Sequence, residues 1–252
     1  MDNDHILTAA SGGIFTITLN RPEKLNAITP AMHMALEAAF DRFAADDAAH
    51  VCIVTGAGTR AFCAGSDLTA FDAKAPYPRT GYAGLIERYD LAKPVIAAVS
   101  GAAVAGGMEL ALWCDLRVMA EDAYMGVFCR RFGVPLIDGG TVRLPRLVGL
   151  SHALDLILTG RKVEADEALR IGLCNRVVPA GQTLQAALAL AHTLAAFPQA
   201  TLRADRASAL AGEGLPLQQA LLQEWAGGRE CLAEALRGAT RFATGEGRHG
   251  KF

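Results

Sequence analysis

Short runs of apolar and β-branched residues, each bounded by turn signals, recur along the first two thirds of the chain. The run 13–20 (GIFTITLN) alternates, as in a strand with one face against solvent or a different layer. The runs 51–56 (VCIVTG) and 94–101 (PVIAAVSG) are apolar throughout, which is typical of strands covered on both faces. With two shorter runs at 115–120 and 175–179, the pattern predicts five strands.

Helical periodicity fills the segments between these runs. Thr29 and Pro30 suit the N-cap and first position of a helix, after which apolar residues recur every three or four positions. Segments 152–160 and 164–173 predict two more helices, and Gly160 stands where a left-handed C-terminal cap falls. Strands that alternate with helices predict an α/β fold with parallel pairing.

The pattern changes near Gln182, after which no strand is predicted. Two long helical stretches follow, interrupted by prolines and glycines such as Pro198 and Gly212. We therefore expect a core over 1–190 and an α-helical C-terminal part over 191–252 that packs on the core or on a neighbouring subunit.

Composition narrows the function classes. The 252 residues are 52% hydrophobic with a net charge of −2. The sequence contains no run of Lys or Arg, so nucleic-acid binding is not expected. The six cysteines stand singly, without a CxxC pair or a Cys/His cluster, so the sequence predicts neither a disulfide scaffold nor a metal site. Reduced thiols and an N-terminus without a long apolar core predict a cytoplasmic protein. The apolar segment 95–114 contains Glu109, a costly residue in lipid, and is predicted to be a buried element rather than a membrane span.

Candidate chemistry begins in the stretch AAVAGGMELALWCDLRV (102–118). Gly106 is predicted near the first turn of a helix, where main-chain N–H groups lack helical partners and can bind an oxyanion. Glu109 follows one turn later, and a buried carboxylate is expensive unless it is used. The pattern alone equally allows glycines that pack a helix tightly and a surface glutamate.

A second glycine loop follows the buried strand at 51–56. The segment GAGTRA (56–61) loosely fits a dinucleotide fingerprint, but Gly65, Ser66 and Asp67 interrupt the helix that this fingerprint needs. A nucleotide fold is therefore not expected.

Several motifs together resemble the crotonase superfamily (the enoyl-CoA hydratase/isomerase family). They are NRPEKLNAI (20–28), AFCAGSDL (61–68), KPVIAAVSGAAVAGGMELALWCDLRVMA (93–120), GGTVRLPRLVG (139–149) and LTGRKVEADEALRIGLCNRVVP (158–179). The resemblance implies a spiral of ββα units and a C-terminal helical trimerisation region. It also implies an acyl-CoA thioester substrate, a homo-oligomer (trimer or dimer of trimers), and no cofactor beyond the CoA of the substrate.

The resemblance also implies residue roles. The amides of Ser66 and Gly106 would form an oxyanion hole for a thioester enolate, while Glu109 moves a proton. The implied CoA contacts are Lys24, Leu25, Ala27, Ala64, Ser66, Asp67, Leu68 and a late Phe242. Segment 71–87 would form a wall of the acyl pocket. For Lys24, an ordinary solvated lysine is an equally good interpretation.

The sequence departs from the family's hydratases, which usually carry a second glutamate. Cys129 stands there, followed by Arg130 and Arg131, which could favour a thiolate; the alternative is a buried small side chain without a catalytic role. Asp138 matches a catalytic aspartate of the dienoyl-CoA isomerase branch, but it could equally cap a turn or pair with Arg143 or Arg131.

Three functions stay open at this point. One is an enoyl-CoA hydratase that works through Glu109, with Asp138 or Cys129 assisting. Another is a double-bond isomerase that uses Glu109 and Asp138. The last is a non-catalytic acyl-CoA-binding protein.

Overall fold

The structure is a computed structural model that describes residues 5–70, 80–88 and 91–245. The chain forms two compact units, Met1–Leu194 and Ala195–Phe252. The first unit contains all ten strands of the described residues.

The main sheet has six strands in the order β1-β2-β3-β5-β7-β10. The β1/β2 pair is antiparallel, and the remaining neighbours are parallel. Its strands are β1 Ile6–Ser11, β2 Ile14–Leu19, β3 Val51–Gly56, β5 Val95–Val99, β7 Leu116–Ala120 and β10 Arg176–Val178. Every residue of β5 is buried, as its continuous apolar run predicts.

The second sheet has four short strands in the order β4-β6-β8-β9. They are β4 Ala61–Cys63, β6 Ala102–Val104, β8 Tyr124–Gly126 and β9 Lys162–Glu164. The first three run parallel, and β9 is antiparallel to β8. The chain thus alternates between the sheets, β3 to β4, β5 to β6 and β7 to β8. This alternation is the predicted spiral of ββα units.

In the described residues, five α-helices lie between these strands or directly after the last of them. They are α1 Pro30–Ala45, α2 Gly106–Trp113, α3 Gly140–Thr159, α4 Ala165–Arg170 and α5 Thr183–Ala196. Thr29 caps α1 by accepting a hydrogen bond from the Met32 amide at 3.3 Å, and Gly160 ends α3 in the left-handed conformation, so both predicted caps are confirmed. Short 3₁₀ helices span Pro22–Lys24, Tyr82–Gly84 and Phe128–Phe132.

All five predicted strands are present, but each strand of the second sheet has only three residues and was not predicted. The segment 95–114 divides into β5, β6 and α2. In the described part of the chain, no helix is long and apolar enough to cross a membrane.

The second unit contains α6 Gln199–Gly212, α7 Leu217–Arg229 and α8 Leu232–Ala243. None of the residues in these helices is buried. Large apolar side chains are exposed on α7 and α8, namely Leu217, Leu221, Leu222, Trp225, Leu232, Leu236 and Phe242.

Candidate active site

Two loops meet at one edge of the second sheet. Strands β4 and β6 are parallel neighbours, so the loops that follow Cys63 and Val104 leave the same edge. Gly65 in the first loop has φ of +92°, and a Cβ added to it would lie 3.0 Å from the main-chain nitrogen of Gly106 in the second. The sheet pairing therefore brings Ser66 and Gly106, which are far apart in sequence, into neighbouring positions.

The start of α2 is built by tight backbone packing. Ala105 precedes the helix with φ of +53° and ψ of −128°, a conformation that L-residues rarely adopt and that costs free energy. A Cβ on Gly107 would lie 2.1 Å from the Cys63 carbonyl oxygen, so only glycine fits there. The packing role anticipated for the glycines therefore applies to Gly107. The Gly106 amide, at the first position of the helix, has no intrahelical acceptor.

The Ser66 loop is joined by main-chain hydrogen bonds to the turn before α1. The Ile28 amide donates to the Gly65 carbonyl at 2.8 Å, and the Asp67 amide donates to the Ile28 carbonyl at 2.9 Å. Neither of these hydrogen bonds involves the Ser66 amide. Across residues 5–70, 80–88 and 91–245, no hydrogen bond from the Ser66 or Gly106 amide is found.

Glu109 is buried, with 3% of its surface exposed, so its interpretation as a surface residue is wrong. Its Oε1 atom accepts hydrogen bonds from the amides of Asp138 at 3.0 Å and Gly140 at 2.9 Å. Burial, followed by the nearby charge of Asp138, raises the pKa of Glu109 to about 7. No donor to Oε2 is found within the described residues. One carboxylate oxygen is thus fixed, and the group is poised to gain or lose a proton near neutral pH.

Asp138 is also buried, and its side chain has a partner that sequence reasoning missed. Oδ1 accepts a hydrogen bond from the Tyr82 amide at 2.6 Å. Arg143 Nη1 donates to the main-chain carbonyl of Asp138 at 2.9 Å. Asp138 therefore stabilises a turn, as one alternative anticipated, but the turn lies 56 residues away in sequence.

Tyr82 fills the space on one side of Gly106. A Cβ on Gly106 would lie 2.9 Å from Cε2 of the Tyr82 ring, and the Tyr82 hydroxyl lies 3.2 Å from the Cys63 sulfur. His33 packs edge-on against the ring with centroids 4.6 Å apart, and its Nδ1 accepts from the Ala83 amide at 3.0 Å. Burial lowers the pKa of His33 to about 4, so it is neutral at pH 7. Of the predicted acyl-pocket wall 71–87, residues 71–79 lie outside the described residues.

Known proteins are similar to this chain in sequence and in fold. The sequence profile described as Enoyl-CoA hydratase/isomerase matches residues 9–241. The chain belongs to the enoyl-CoA hydratase/isomerase family, the crotonase family. It is 43% identical over 188 residues to a carnitinyl-CoA dehydratase of Salmonella typhi, which covers 73% of this chain and 72% of that protein.

Solved structures of the crotonase family superpose closely on the fold. An enoyl-CoA hydratase of Mycobacterium marinum has a TM-score of 0.90 and 34% identity, covering 96% of both chains. An enoyl-CoA hydratase of Bacillus anthracis has a TM-score of 0.88 and 31% identity, covering 95% of this chain and 96% of its own. The α/β crotonase fold and the expectation of an acyl-CoA enzyme are thus confirmed.

Cys129, which the resemblance places at the position of the second glutamate of the family's hydratases, is a buried thiol. Burial and the charge of Glu109 raise the pKa of Cys129 above its ordinary value, although Arg130 acts in the opposite direction. Arg131 instead stacks on the Phe128 ring, with its guanidinium carbon 3.7 Å from the centroid, and donates to the Gly160 carbonyl. The expectation that the two arginines favour a thiolate is therefore wrong, because burial and the carboxylate outweigh them.

The residues that the crotonase resemblance assigns to CoA fall into two groups. Those of the first unit are brought together, since the Ala64 amide donates to the Leu25 carbonyl at 3.0 Å. The Asp67 carboxylate is engaged within the protein. It accepts from Arg21 at 2.6 Å and from the Thr69 hydroxyl at 2.6 Å, and together with further contacts these hydrogen bonds lower its pKa to about 2. Asp67 therefore stabilises the loop, and a CoA contact through its side chain stays a prediction.

Lys24, Leu25 and Leu68 are exposed beside this loop, where a ligand could reach them. Phe242 lies in the second unit, on α8, with 60% of its surface exposed. In the described part of the chain, no cluster of His, Cys, Asp or Glu side chains is arranged to hold a metal ion.

Proposed function

We propose that the protein is a hydro-lyase that adds water to the double bond of a 2-enoyl-CoA thioester, or removes it from the corresponding 3-hydroxyacyl-CoA. The observation that carries the proposal is the placement of Glu109 one helical turn after the Gly106 amide, with Oε1 fixed by two amides and a pKa near neutrality. The thioester oxygen would accept hydrogen bonds from the Ser66 and Gly106 amides.

The reaction follows from these groups. Ionised Glu109 takes a proton from water through Oε2, and the water oxygen forms a bond to C3. The π electrons of the C2–C3 bond move into the thioester, where the two amides stabilise the enolate oxygen. Protonated Glu109 then returns the proton to C2, so one water is added and the carboxylate is regenerated. Dehydration is the reverse sequence.

A single carboxylate must serve both proton transfers in this scheme. Cys129 is a poor donor or acceptor at neutral pH because its thiol pKa is raised. The Asp138 carboxylate accepts a hydrogen bond from the Tyr82 amide through Oδ1. We therefore assign both the acid and the base role to Glu109.

The named relatives support a hydro-lyase. A dehydratase and a hydratase catalyse one reaction in opposite directions, and both names occur among proteins similar to this chain. Crotonyl-CoA for hydration and carnitinyl-CoA for dehydration, the latter suggested by the name of the relative, are the substrates to offer first.

The test is a steady-state assay of hydration and dehydration with wild type, Glu109→Gln and the matched control Glu224→Gln, which alters an exposed residue of the second unit. Glu109→Gln keeps an acceptor for both amides and should lose a factor of about 10² to 10⁴ in kcat, while Glu224→Gln should match wild type. A Glu109→Gln enzyme with wild-type turnover would refute the proposal.

The isomerase stays a second candidate, because the charge of Asp138 acts on Glu109 and two neighbouring acids can shuttle a proton. A 3,5-dienoyl-CoA separates the two. Isomerisation that is lost in both Glu109→Gln and Asp138→Asn favours the isomerase, whereas tight binding without turnover of any ester favours a non-catalytic binder.

We further propose a homotrimer or dimer of trimers, a trimerisation role for residues 191–252 and a cytoplasmic location. Light scattering of the purified chain tests the oligomeric state.

A further inference from the structure

We propose that Asp138 is a positioning residue that fixes Tyr82 beside the Gly106 amide and, through its own amide, orients the Glu109 carboxylate. The inference rests on the proposed function for its kinetic consequences, but its structural part is independent of any substrate. It assigns Asp138 no proton transfer to the substrate.

Asp138 connects three parts of the site through three different atoms. Its Oδ1 accepts from the Tyr82 amide at 2.6 Å, its amide donates to Glu109 Oε1 at 3.0 Å, and its carbonyl accepts from Arg143 Nη1 at 2.9 Å. Arg143 also donates through Nη2 to the Leu85 carbonyl at 3.3 Å. Hydrogen bonds thus join segment 80–88 to the loop around Asp138, and the Asp138 amide in turn binds the carboxylate of Glu109.

Tyr82 depends on these hydrogen bonds for its position. The following residue, Ala83, has φ of +56°, a left-handed conformation that is unfavourable for alanine. Neighbouring hydrogen bonds must stabilise this turn: the Tyr82 amide donates to Asp138 Oδ1, and the Ala83 amide donates to His33 Nδ1. When the Asp138 acceptor is removed, the turn should relax and the ring should move from Gly106 and from Cys63, which is completely buried.

The charge of Asp138 has a separate effect. Among the residues that the structure describes, three titratable groups interact with Glu109: Asp138 raises the pKa of Glu109, Arg143 lowers it, and Cys129 is a neutral thiol. Asp138→Asn keeps an oxygen that can accept from Tyr82 but removes the charge. It should therefore leave Tyr82 in place and lower the pKa of Glu109, whereas Asp138→Ala removes both contributions.

The experiment uses the full chain with Asp138→Asn, Asp138→Ala and the control Asp122→Asn, which alters an exposed turn residue. The first measurement is the rate of Cys63 alkylation by iodoacetamide, followed by mass spectrometry of the peptide that contains it. We expect wild-type rates for both Asn variants and a rate at least tenfold higher for Asp138→Ala. An unchanged rate in Asp138→Ala, or a raised rate in Asp138→Asn, would overturn the positioning of Tyr82.

The second measurement is the pH dependence of kcat/KM. We expect Asp138→Asn to keep the wild-type plateau within about threefold while its acidic midpoint shifts to lower pH. We expect Asp138→Ala to lose at least about tenfold in kcat with a smaller change in KM. Loss of a thousandfold or more of kcat in Asp138→Asn, with unchanged Cys63 alkylation, would make Asp138 a proton donor instead.

If no ester is turned over by wild type, the proposed function fails while the alkylation still decides the positioning role. If Asp138→Ala does not fold, the two measurements on Asp138→Asn decide.

Discussion

Gly65 packs tightly against the main-chain nitrogen of Gly106, which would lie 3.0 Å from a Cβ added to Gly65. The contact joins residues 41 positions apart, because β4 and β6 are parallel neighbours and their following loops leave the sheet at one edge. The relative position of the two candidate amide donors is therefore set by the main chain and not by side-chain contacts.

Gly65→Ala should separate these loops. A Cβ there would lie 3.0 Å from Gly106 N and 3.3 Å from the Val104 carbonyl, and Gly65 has φ of +92°. We expect kcat/KM to fall at least tenfold and the free energy of unfolding, measured in urea, to fall by about 2–3 kcal/mol.

Gly181→Ala is the matched control for this substitution. Gly181 has φ of +81° but nothing within 4 Å of an added Cβ. It should lose only the roughly 1–2 kcal/mol that a left-handed alanine costs, with kcat/KM unchanged. Equal effects of the two variants on activity would show that the contact with Gly106 is irrelevant.

The pH dependence of stability should reveal Glu109. Its pKa is raised from 4.5 to about 7, so the folded state binds an extra proton between these values and Glu109 makes stability fall as pH rises from about 4.5 to 7. The full effect is about 3 kcal/mol.

His33 has the opposite effect over nearly the same range. Its pKa is lowered from 6.5 to about 4, so the unfolded state binds the extra proton and stability rises with pH across this interval. The two slopes should largely cancel in wild type.

Two single variants separate these contributions in urea unfolding at a series of pH values. Glu109→Gln should leave a stability that rises from pH 4 to 6.5, and His33→Asn, which keeps an acceptor for the Ala83 amide, should leave one that falls between pH 4.5 and 7. Identical pH profiles for wild type and Glu109→Gln would contradict the raised pKa of this carboxyl group.

Cys129 should be dispensable. Its thiol is neutral at pH 7, so Cys129→Ala and Cys129→Ser should keep kcat within about threefold of wild type in the hydration assay. A loss of a hundredfold in both variants would instead identify Cys129 as catalytic, and the scheme with a single carboxylate would be wrong.

Lys24 provides a test of the CoA site. It is exposed beside the turn that is joined to the Ser66 loop. If it contacts the CoA phosphates, Lys24→Ala should raise KM for an acyl-CoA about three- to tenfold and leave KM for the matching acyl-pantetheine unchanged, because the latter lacks the nucleotide. Equal KM changes for both esters would exclude this role.

The sequence predicts the parts of the fold that have strong local patterns. The buried runs of β3 and β5 and the Thr29–Pro30 start of α1 all lie where predicted. The strands of the second sheet were missed because three residues such as Ala102–Val104 carry almost no periodicity, and their pairing depends on residues distant in sequence.

The same distinction holds for the site. Gly106 and Glu109 share one short motif, and the sequence places them one helical turn apart. The partnership of Asp138 with Tyr82 joins residues 56 positions apart through a main-chain donor, and neither residue type indicates it. Likewise, the pKa of Cys129 depends on how far burial outweighs the neighbouring arginines. That balance is set by the packed environment and not by the local sequence.

We propose that the Ser66 and Gly106 amides bind the thioester oxygen while Glu109 lies beside the reacting carbons. A crystal structure of the protein with an unreactive acyl-CoA tests it most directly. We predict the thioester oxygen at about 2.7–3.1 Å from both amide nitrogens, with Glu109 Oε2 facing C2 and C3. A thioester oxygen bound elsewhere, or an acyl chain that does not pass Glu109, would contradict the account.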